Sequence, residues 1–248
     1  MRLQDKVAIV TGAASGFGKG IAELYAREGA KVSVCDINGQ GARDVANGIG
    51  ANAIHVAVDV AKPEDVRNMV SETVKAFGGV DIMVNNAGYT HRNQPMLDVT
   101  EAEFDRIFAV NVKSLFLAAK EVVPELEKRG GGVIITTAST AGVRPRPGLV
   151  WYNSSKGAAI TMTKAMAVEL APKKIRVNAI NPVAGETPML ADFMGEDTPE
   201  IRGKFVSTIP LGRLSQPSDI ANAALFLADP ASEFLTGLTI EVDGGRCI

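Results

Sequence analysis

"TGAASGFG" at residues 11–18 follows the apolar run "KVAIV" at 6–10 and precedes "KGIAELYAREGA" at 19–30. The apolar run reads as a strand. Ile21, Leu24 and Tyr25 repeat at helical spacing, and Gly29 stops that helix. A glycine-rich turn between a strand and a helix has two readings: a tight turn, or a cradle for a phosphate. Gly12, Gly16 and Gly18 let the backbone turn sharply and approach a pyrophosphate, and the helix start supplies N–H groups and partial positive charge. The spacing is GxxxGxG rather than GxGxxG, and taken alone it decides nothing.

Outward from this loop, strand-like runs alternate with helical patterns. "KVSVCD" (31–36), "AIHVAVDV" (53–60), "DIMVNN" (81–86), "GGVIITTAS" (131–139), "IRVNAIN" (175–181) and "LTIEVDGG" (238–245) read as strands. Helices are expected from Pro63 to near Gly78, over about 101–128, and over 151–171, ended by Pro172. Pro182 is expected to stop the sixth strand. The alternation predicts an α/β fold: a parallel sheet with helices on both faces, in one domain over 1–248. The irregular stretch 182–217 is too long for an ordinary connection and is expected to be a functional lid or a partly helical insertion.

Composition narrows the function. The 248 residues carry a formal net charge of −2, which argues against nucleic acid or a membrane surface as the partner. Cys35 and Cys247 lie far apart, without metal spacing, as in a reduced cytoplasmic protein. No apolar run reaches the ~18 residues of a membrane span, and "MRLQDK" has no apolar targeting core. No metal is expected.

Asp36 ends the second strand, where a carboxylate can accept from the adenosine ribose hydroxyls and repel a 2′-phosphate; it predicts NAD over NADP. An idle, solvated carboxylate is the alternative. Ser15 fits NAD too, since an arginine in that loop could have held an extra phosphate. Asp59 could accept from the adenine amino group or be a plain turn carboxylate. Asn86 and Gly88 of "NNAG" end the fourth strand at the same sheet edge.

Tyr152 and Lys156 of "YNSSK" lie four apart, on one helix face. A free tyrosine, with pKa ~10, is a poor base at neutral pH. A neighbouring ammonium and an oxidised nicotinamide favour the phenolate, which could then exchange a proton with an alcohol or carbonyl. Ser139, at a strand end, can hydrogen-bond a substrate oxygen. Asn111 sits awkwardly mid-helix in "FAVNVKSLF", as a kink or water holder, or as a tolerated polar residue.

TGxxxGxG, Asp36, Asp59, NNAG, Asn111, Ser139 and YxxxK, in this order and over essentially the whole chain, resemble a short-chain dehydrogenase/reductase. The resemblance implies a doubly wound Rossmann fold of about seven parallel strands. It implies Tyr152 as acid/base, Ser139 orienting the substrate oxygen, and Asn111 holding a water in a proton relay. Lys156 would lower the Tyr152 pKa and bind the nicotinamide ribose. The cofactor set extends to Phe17, Ile37, Val60, Ala87, Pro182 and Thr187, and a homotetramer is implied. One departure is Val183, where the family usually has glycine after proline; it stiffens the turn.

The substrate pocket is expected from "YTHRNQP", "TAGVRPRPGLVW" and the 182–217 stretch. His91, Arg92, Arg144 and Arg146 predict an anionic alcohol or aldehyde, carrying a sulfonate or carboxylate. The alternative is that they pair with acids or serve a subunit interface. "THRN", "GVRPRPGLVWY" and "GETPMLADFMG" are similar to a 4-formylbenzenesulfonate dehydrogenase subgroup; a sugar hydroxyl fits equally. A 3-oxoacyl-carrier-protein reductase is the alternative enzyme, although Asp36 disfavours its usual NADPH. A catalytically silent nucleotide-binding relative is the alternative of another class.

Overall fold

The computed structural model describes all residues, 1–248. Seven strands form one sheet: β1 (Val7–Thr11), β2 (Lys31–Asp36), β3 (Ala53–Ala57), β4 (Ile82–Asn85), β5 (Gly132–Thr137), β6 (Ile175–Pro182) and β7 (Thr239–Val242). Their order is β3-β2-β1-β4-β5-β6-β7, and every pairing is parallel. The order reverses beside β1, whose Val10 pairs with Val84 on one side and Val34 on the other. In an open α/β sheet this switch point opens a crevice at the strand C-termini. The TGAASGFG and NNAG segments leave β1 and β4 there.

Period-two alternation sends side chains to two separate cores. From β1, Ala8 and Val10 pack with Ile21 and Tyr25 of α1 (Gly16–Arg27) and with Leu225 of α9 (Pro217–Ala228). Ile9 faces the opposite core, with Met69 of α3 (Pro63–Phe77), Leu126 of α5 (Ser114–Lys128) and Leu170 of α6 (Val150–Leu170). Burying a side chain such as Met69 or Leu126 stabilises by ~1.5–3 kcal/mol.

Three features depart from the sequence expectation. The helix expected over 101–128 is α4 (Glu101–Phe108), a π-helical turn (Ala109–Lys113) and then α5. Ser114 N–H donates to Ala109 C=O, five residues back, and Asn111 lies in the widened turn. Second, Pro182 remains within β6, opposite Val242. It is the last residue of β6, so the strand does stop at the proline, one position later than the apolar run 175–181. Third, α9 and α2 (Gly39–Ile49) carry no clear sequence signal. The α2 sequence contains three glycines and is held by the Asn38 cap and by buried Ala42, Val45 and Ala46. α9 is apolar through much of its length, which masks its period.

The 182–217 stretch contains α7 (Leu190–Met194) and α8 (Pro199–Val206). Val183 is buried with Leu190, Met194, Ile209 and Leu214 in a small separate core. The side chain that replaces the expected glycine therefore roots this insertion. No helix is long and apolar enough to cross a membrane.

Candidate active site

The glycine loop is built around Gly18. A Cβ there would overlap the Gly12 carbonyl oxygen and lie 2.5 Å from Asn86 Nδ2. Asn86 explains the crowding: its Nδ2 donates to Thr11 C=O (2.9 Å) and Gly12 C=O (3.2 Å), and its Oδ1 accepts from the Thr137 hydroxyl (3.2 Å). One side chain thus ties together the ends of β1, β4 and β5. Gly16 has φ +54° and packs on Thr187, so the loop also touches the insertion. Ser15 is the N-cap of α1 in extended conformation, and its hydroxyl makes no capping bond. It faces a cavity of about 350 Å³.

That cavity follows the C-terminal sheet edge. Gly12, Ser15, Phe17, Asp36, Ile37 and Val60 line one end, and Asn86, Ala87 and Gly88 the middle. Pro182 and Thr187 line the far wall, while Gly16 and Gly18 shape the loop from behind. Asp36 accepts from the N–H groups of Ala14 (3.0 Å) and Asn38 (2.9 Å), one on each oxygen. The carboxylate braces the glycine loop and keeps lone pairs for a ligand.

Asp59 lines the cavity as expected, but its carboxylate is already engaged. Arg106 Nη1 donates to both oxygens (3.1 and 3.3 Å), and Ala61 N–H to one of them (3.1 Å). Burial pushes the Asp59 carboxyl up, yet the Ala61 and Arg106 contacts outweigh it and hold the group below the usual carboxylate range. An adenine amino group would share this carboxylate with Arg106.

Ser139, Tyr152 and Lys156 converge on the middle of the cavity. Ser139 follows β5 and caps a short turn, its Oγ accepting from Ala141 N–H (3.0 Å). Lys156 Nζ donates to Thr137 C=O (2.9 Å) and lies 5.7 Å from the Tyr152 ring centroid. Burial lowers the Lys156 ammonium to about 8. Burial also pushes the Tyr152 phenol up to about 12, with the Ser139 hydroxyl opposing it in part. The lowered Tyr152 pKa expected from the sequence is therefore absent in the protein alone. Desolvation of the phenolate outweighs its neighbours.

Asn111 stands behind this group. Its Nδ2 donates to Tyr89 C=O (2.8 Å) and Ser155 Oγ (2.9 Å), and its Oδ1 accepts from Tyr89 N–H (2.9 Å). Both amide N–H groups are spent on protein, so the side chain clamps the segment after β4 to α6. Water would be left only the remaining Oδ1 lone pair.

The four expected substrate cations do not gather. Arg146 alone lines the cavity. Its guanidinium lies 4.5 Å from the Phe205 ring centroid, and Nη2 donates to Thr208 Oγ1 (3.0 Å). Burial, then the charges of Arg246 and Arg144, lower it to about 10. Arg144 turns to the C-terminal segment, where Nη1 donates to the main-chain oxygens of Arg246 (2.5 Å) and Ile248 (3.4 Å). Arg92 reaches α7, with Nε donating to Gly195 C=O (2.8 Å). His91 is 1 % exposed, and its Nδ1 meets Arg92 C=O at 2.7 Å. The last three serve backbone contacts because their loops pack on the insertion and the C-terminal turn.

Sequence reasoning missed the apolar wall around Tyr152, made by Leu149, Met189, Phe193 and Phe205. Phe193 stands in α7, which is too short for a periodic signal. Arg106 and Arg246 were missed because their partners are distant in sequence. No group of three or more His, Cys, Asp or Glu side chains is placed to hold a metal.

The chain is similar to known proteins over essentially its whole length. A family model described as enoyl-(acyl carrier protein) reductase matches residues 12–246. The 4-formylbenzenesulfonate dehydrogenase of Comamonas testosteroni is 51% identical over 252 residues, covering 100% of both chains. The 7alpha-hydroxysteroid dehydrogenase of Escherichia coli K12 is 41% identical over 99% of this chain and 95% of its own. A crystal structure of 3-ketoacyl-(acyl-carrier-protein) reductase from Brucella melitensis complexed with NADH has a TM-score of 0.94 at 48% identity, covering 99% of this chain and 100% of that one. Whole-length identity at this level, on a sheet that opens its crevice at the β1/β4 switch point, makes this chain a member of the short-chain dehydrogenase/reductase family, an oxidoreductase acting on CH–OH and C=O groups.

Proposed function

We propose that this protein is an NAD-dependent dehydrogenase that oxidises an alcohol with an apolar body and an anionic group. The convergence of Ser139, Tyr152 and Lys156 at the middle of a cavity that ends at Asp36 carries this reading. The free Ser15 hydroxyl, the α1 N-terminus and the Asp36 lone pairs suit the pyrophosphate and ribose of a dinucleotide. When bound, the nicotinamide supplies the hydride acceptor and, oxidised, a positive charge beside the site. Lys156 binds the nicotinamide ribose, and its ammonium and that charge work against the desolvation of the Tyr152 phenolate. The Ser139 hydroxyl orients the substrate oxygen. Tyr152 accepts the alcohol proton as the carbonyl forms, and returns it in the reverse direction. Asn111 positions α6 and Tyr89 around this proton path.

The substrate class rests on the cavity wall. Arg146 provides a cation among Phe193, Phe205 and Leu149, a setting that suits an aryl sulfonate or carboxylate. The 51% identical 4-formylbenzenesulfonate dehydrogenase supports this reading. NADH formation on matched neutral and anionic aryl alcohols, aldoses and hydroxy acids tests it, with Tyr152→Phe as the blank. Preference for the anionic members is expected; preference for the neutral members would return Arg146 to a structural role.

The 48% identical 3-ketoacyl-(acyl-carrier-protein) reductase favours a second reading, reduction of a 3-oxoacyl thioester. Faster turnover of an acetoacetyl thioester than of any alcohol would select it. We also place the protein in the cytoplasm as a homotetramer. The free Cys35 and Cys247 support the first, and the exposed Phe116 and Val168 on α5 and α6 support the second. Light scattering on the purified protein tests the assembly.

A further inference from the structure

Arg246 is 8 % exposed, and its Nε and Nη1 have no hydrogen-bond partner. None of the protein's ion pairs includes Arg146 or Arg246. The acids beside the C-terminal turn are used elsewhere: Asp243 accepts from the N–H groups of Gly245 and Cys247, and Glu241 from Asn181. A buried guanidinium without an ion-pair partner is costly unless a bound group supplies the opposite charge at contact distance.

Arg146 lines the cavity, and Arg246 belongs to the C-terminal turn that packs on the same wall from outside it. Arg146 holds Thr208, just after α8, while Gly244 and Gly245 pack against Ile209 and Pro210 of the same connection. Arg144 fastens the turn by donating to the Arg246 carbonyl oxygen. Burial and the Arg246 charge both act on the Arg146 guanidinium. The cavity wall therefore carries one half-buried cation, Arg146, with the buried Arg246 behind it.

We infer that Arg146 and Arg246 form a two-charge seat for the sulfonate or carboxylate of the substrate: Arg146 makes the contact, and Arg246 is a positioning residue that supplies a permanent field from behind. This rests on the anionic-substrate reading. In a poorly solvated wall a second cation acts strongly on an anion, and its effect is screened little by salt.

The test uses the full-length enzyme as its NADH complex, with benzenesulfonate as an anionic probe and benzyl alcohol as a neutral one. Arg246→Met removes the charge and keeps apolar bulk; Arg246→Lys keeps the charge. Benzenesulfonate is expected to raise the Tm of wild type and R246K but not of R246M. The kcat/KM ratio for 4-(hydroxymethyl)benzenesulfonate over benzyl alcohol falls about tenfold in R246M, through KM, and recovers in R246K. An unchanged ratio and an unchanged sulfonate shift in R246M would overturn the seat, even if the wild type prefers anions. A sulfonate shift that depends on Arg246, without anionic preference in turnover, would keep the seat and remove the substrate reading. If R246M does not fold, Arg146→Met reads the same seat, and an undiminished sulfonate shift there overturns it.

Discussion

Phe193 packs edge-on against Tyr152, with ring centroids 5.0 Å apart and planes at 63°. The contact joins the insertion to the proposed proton-transfer residue, so α7 shapes the space above the phenol. Phe193→Ala removes an aromatic wall worth ~0.5–1.5 kcal/mol beyond its buried area. KM for an aryl alcohol is expected to rise about 3- to 10-fold, with a smaller change for an aliphatic alcohol. Equal losses on both substrates would show that Phe193 only supports the fold.

Tyr152→Phe deletes the oxygen that exchanges the proton and leaves the ring against Phe193. Turnover is expected to fall by about 10²- to 10⁴-fold. NADH binding, followed by fluorescence titration, should stay near wild type. Retention of most activity would remove Tyr152 from the chemistry.

Asp36→Ala should shift cofactor preference toward NADP by about tenfold or more in the ratio of kcat/KM values. The lost brace on Ala14 N–H will also weaken NAD binding. An unchanged ratio would show that Asp36 does not read the ribose.

Lys156 gives a pH signature in the cofactor-free protein. Burial lowers its pKa from 10.5 to about 8, so the folded chain loses this proton before the unfolded chain does. Between those values the unfolded state binds more protons, and stability rises with pH. Below about 8 the cost of burying the ammonium is felt in full; above 10.5 it is gone. Tyr152 acts oppositely from 10.0 to about 12, where the unfolded chain loses the proton first and stability falls. Urea unfolding should therefore show wild type gaining ~1–2 kcal/mol relative to Lys156→Met on going from pH 8 to pH 10. A loss over that interval would contradict a buried, desolvated ammonium.

Gly18→Ala places a methyl against the Gly12 carbonyl and Asn86. Overpacking of this kind costs ~1–3 kcal/mol, and here it must also displace the Asn86 bridge. A lower Tm and weaker NADH binding are expected together. Loss of stability with unchanged NADH affinity would separate the loop from the cofactor.

The sequence by itself determined the alternation of strands and helices, the glycine loop and the Tyr152/Lys156 pair. Each is a local signal: a run of apolar residues, a turn chemistry or a spacing along one helix. It also placed Asp36 and Asn86 at strand ends, because strand ends are legible where an apolar run stops. It left α2 and α9 unassigned, since glycine content in one and continuous apolarity in the other hide the helical period. Only the tertiary structure decided which charges face the cavity. His91, Arg92, Arg144 and Arg146 are alike as sequence, yet the packing of the insertion and the C-terminal turn points one of them inward and uses the others on backbone carbonyls. The same holds for Arg106 on Asp59, Phe193 on Tyr152 and Arg246 behind Arg146. These pairings cross 47, 41 and 100 positions respectively, and chain separation carries no local pattern from which to read them. The Tyr152 acidity was likewise a tertiary outcome, because the desolvation that dominates it depends on how completely the fold encloses the phenol.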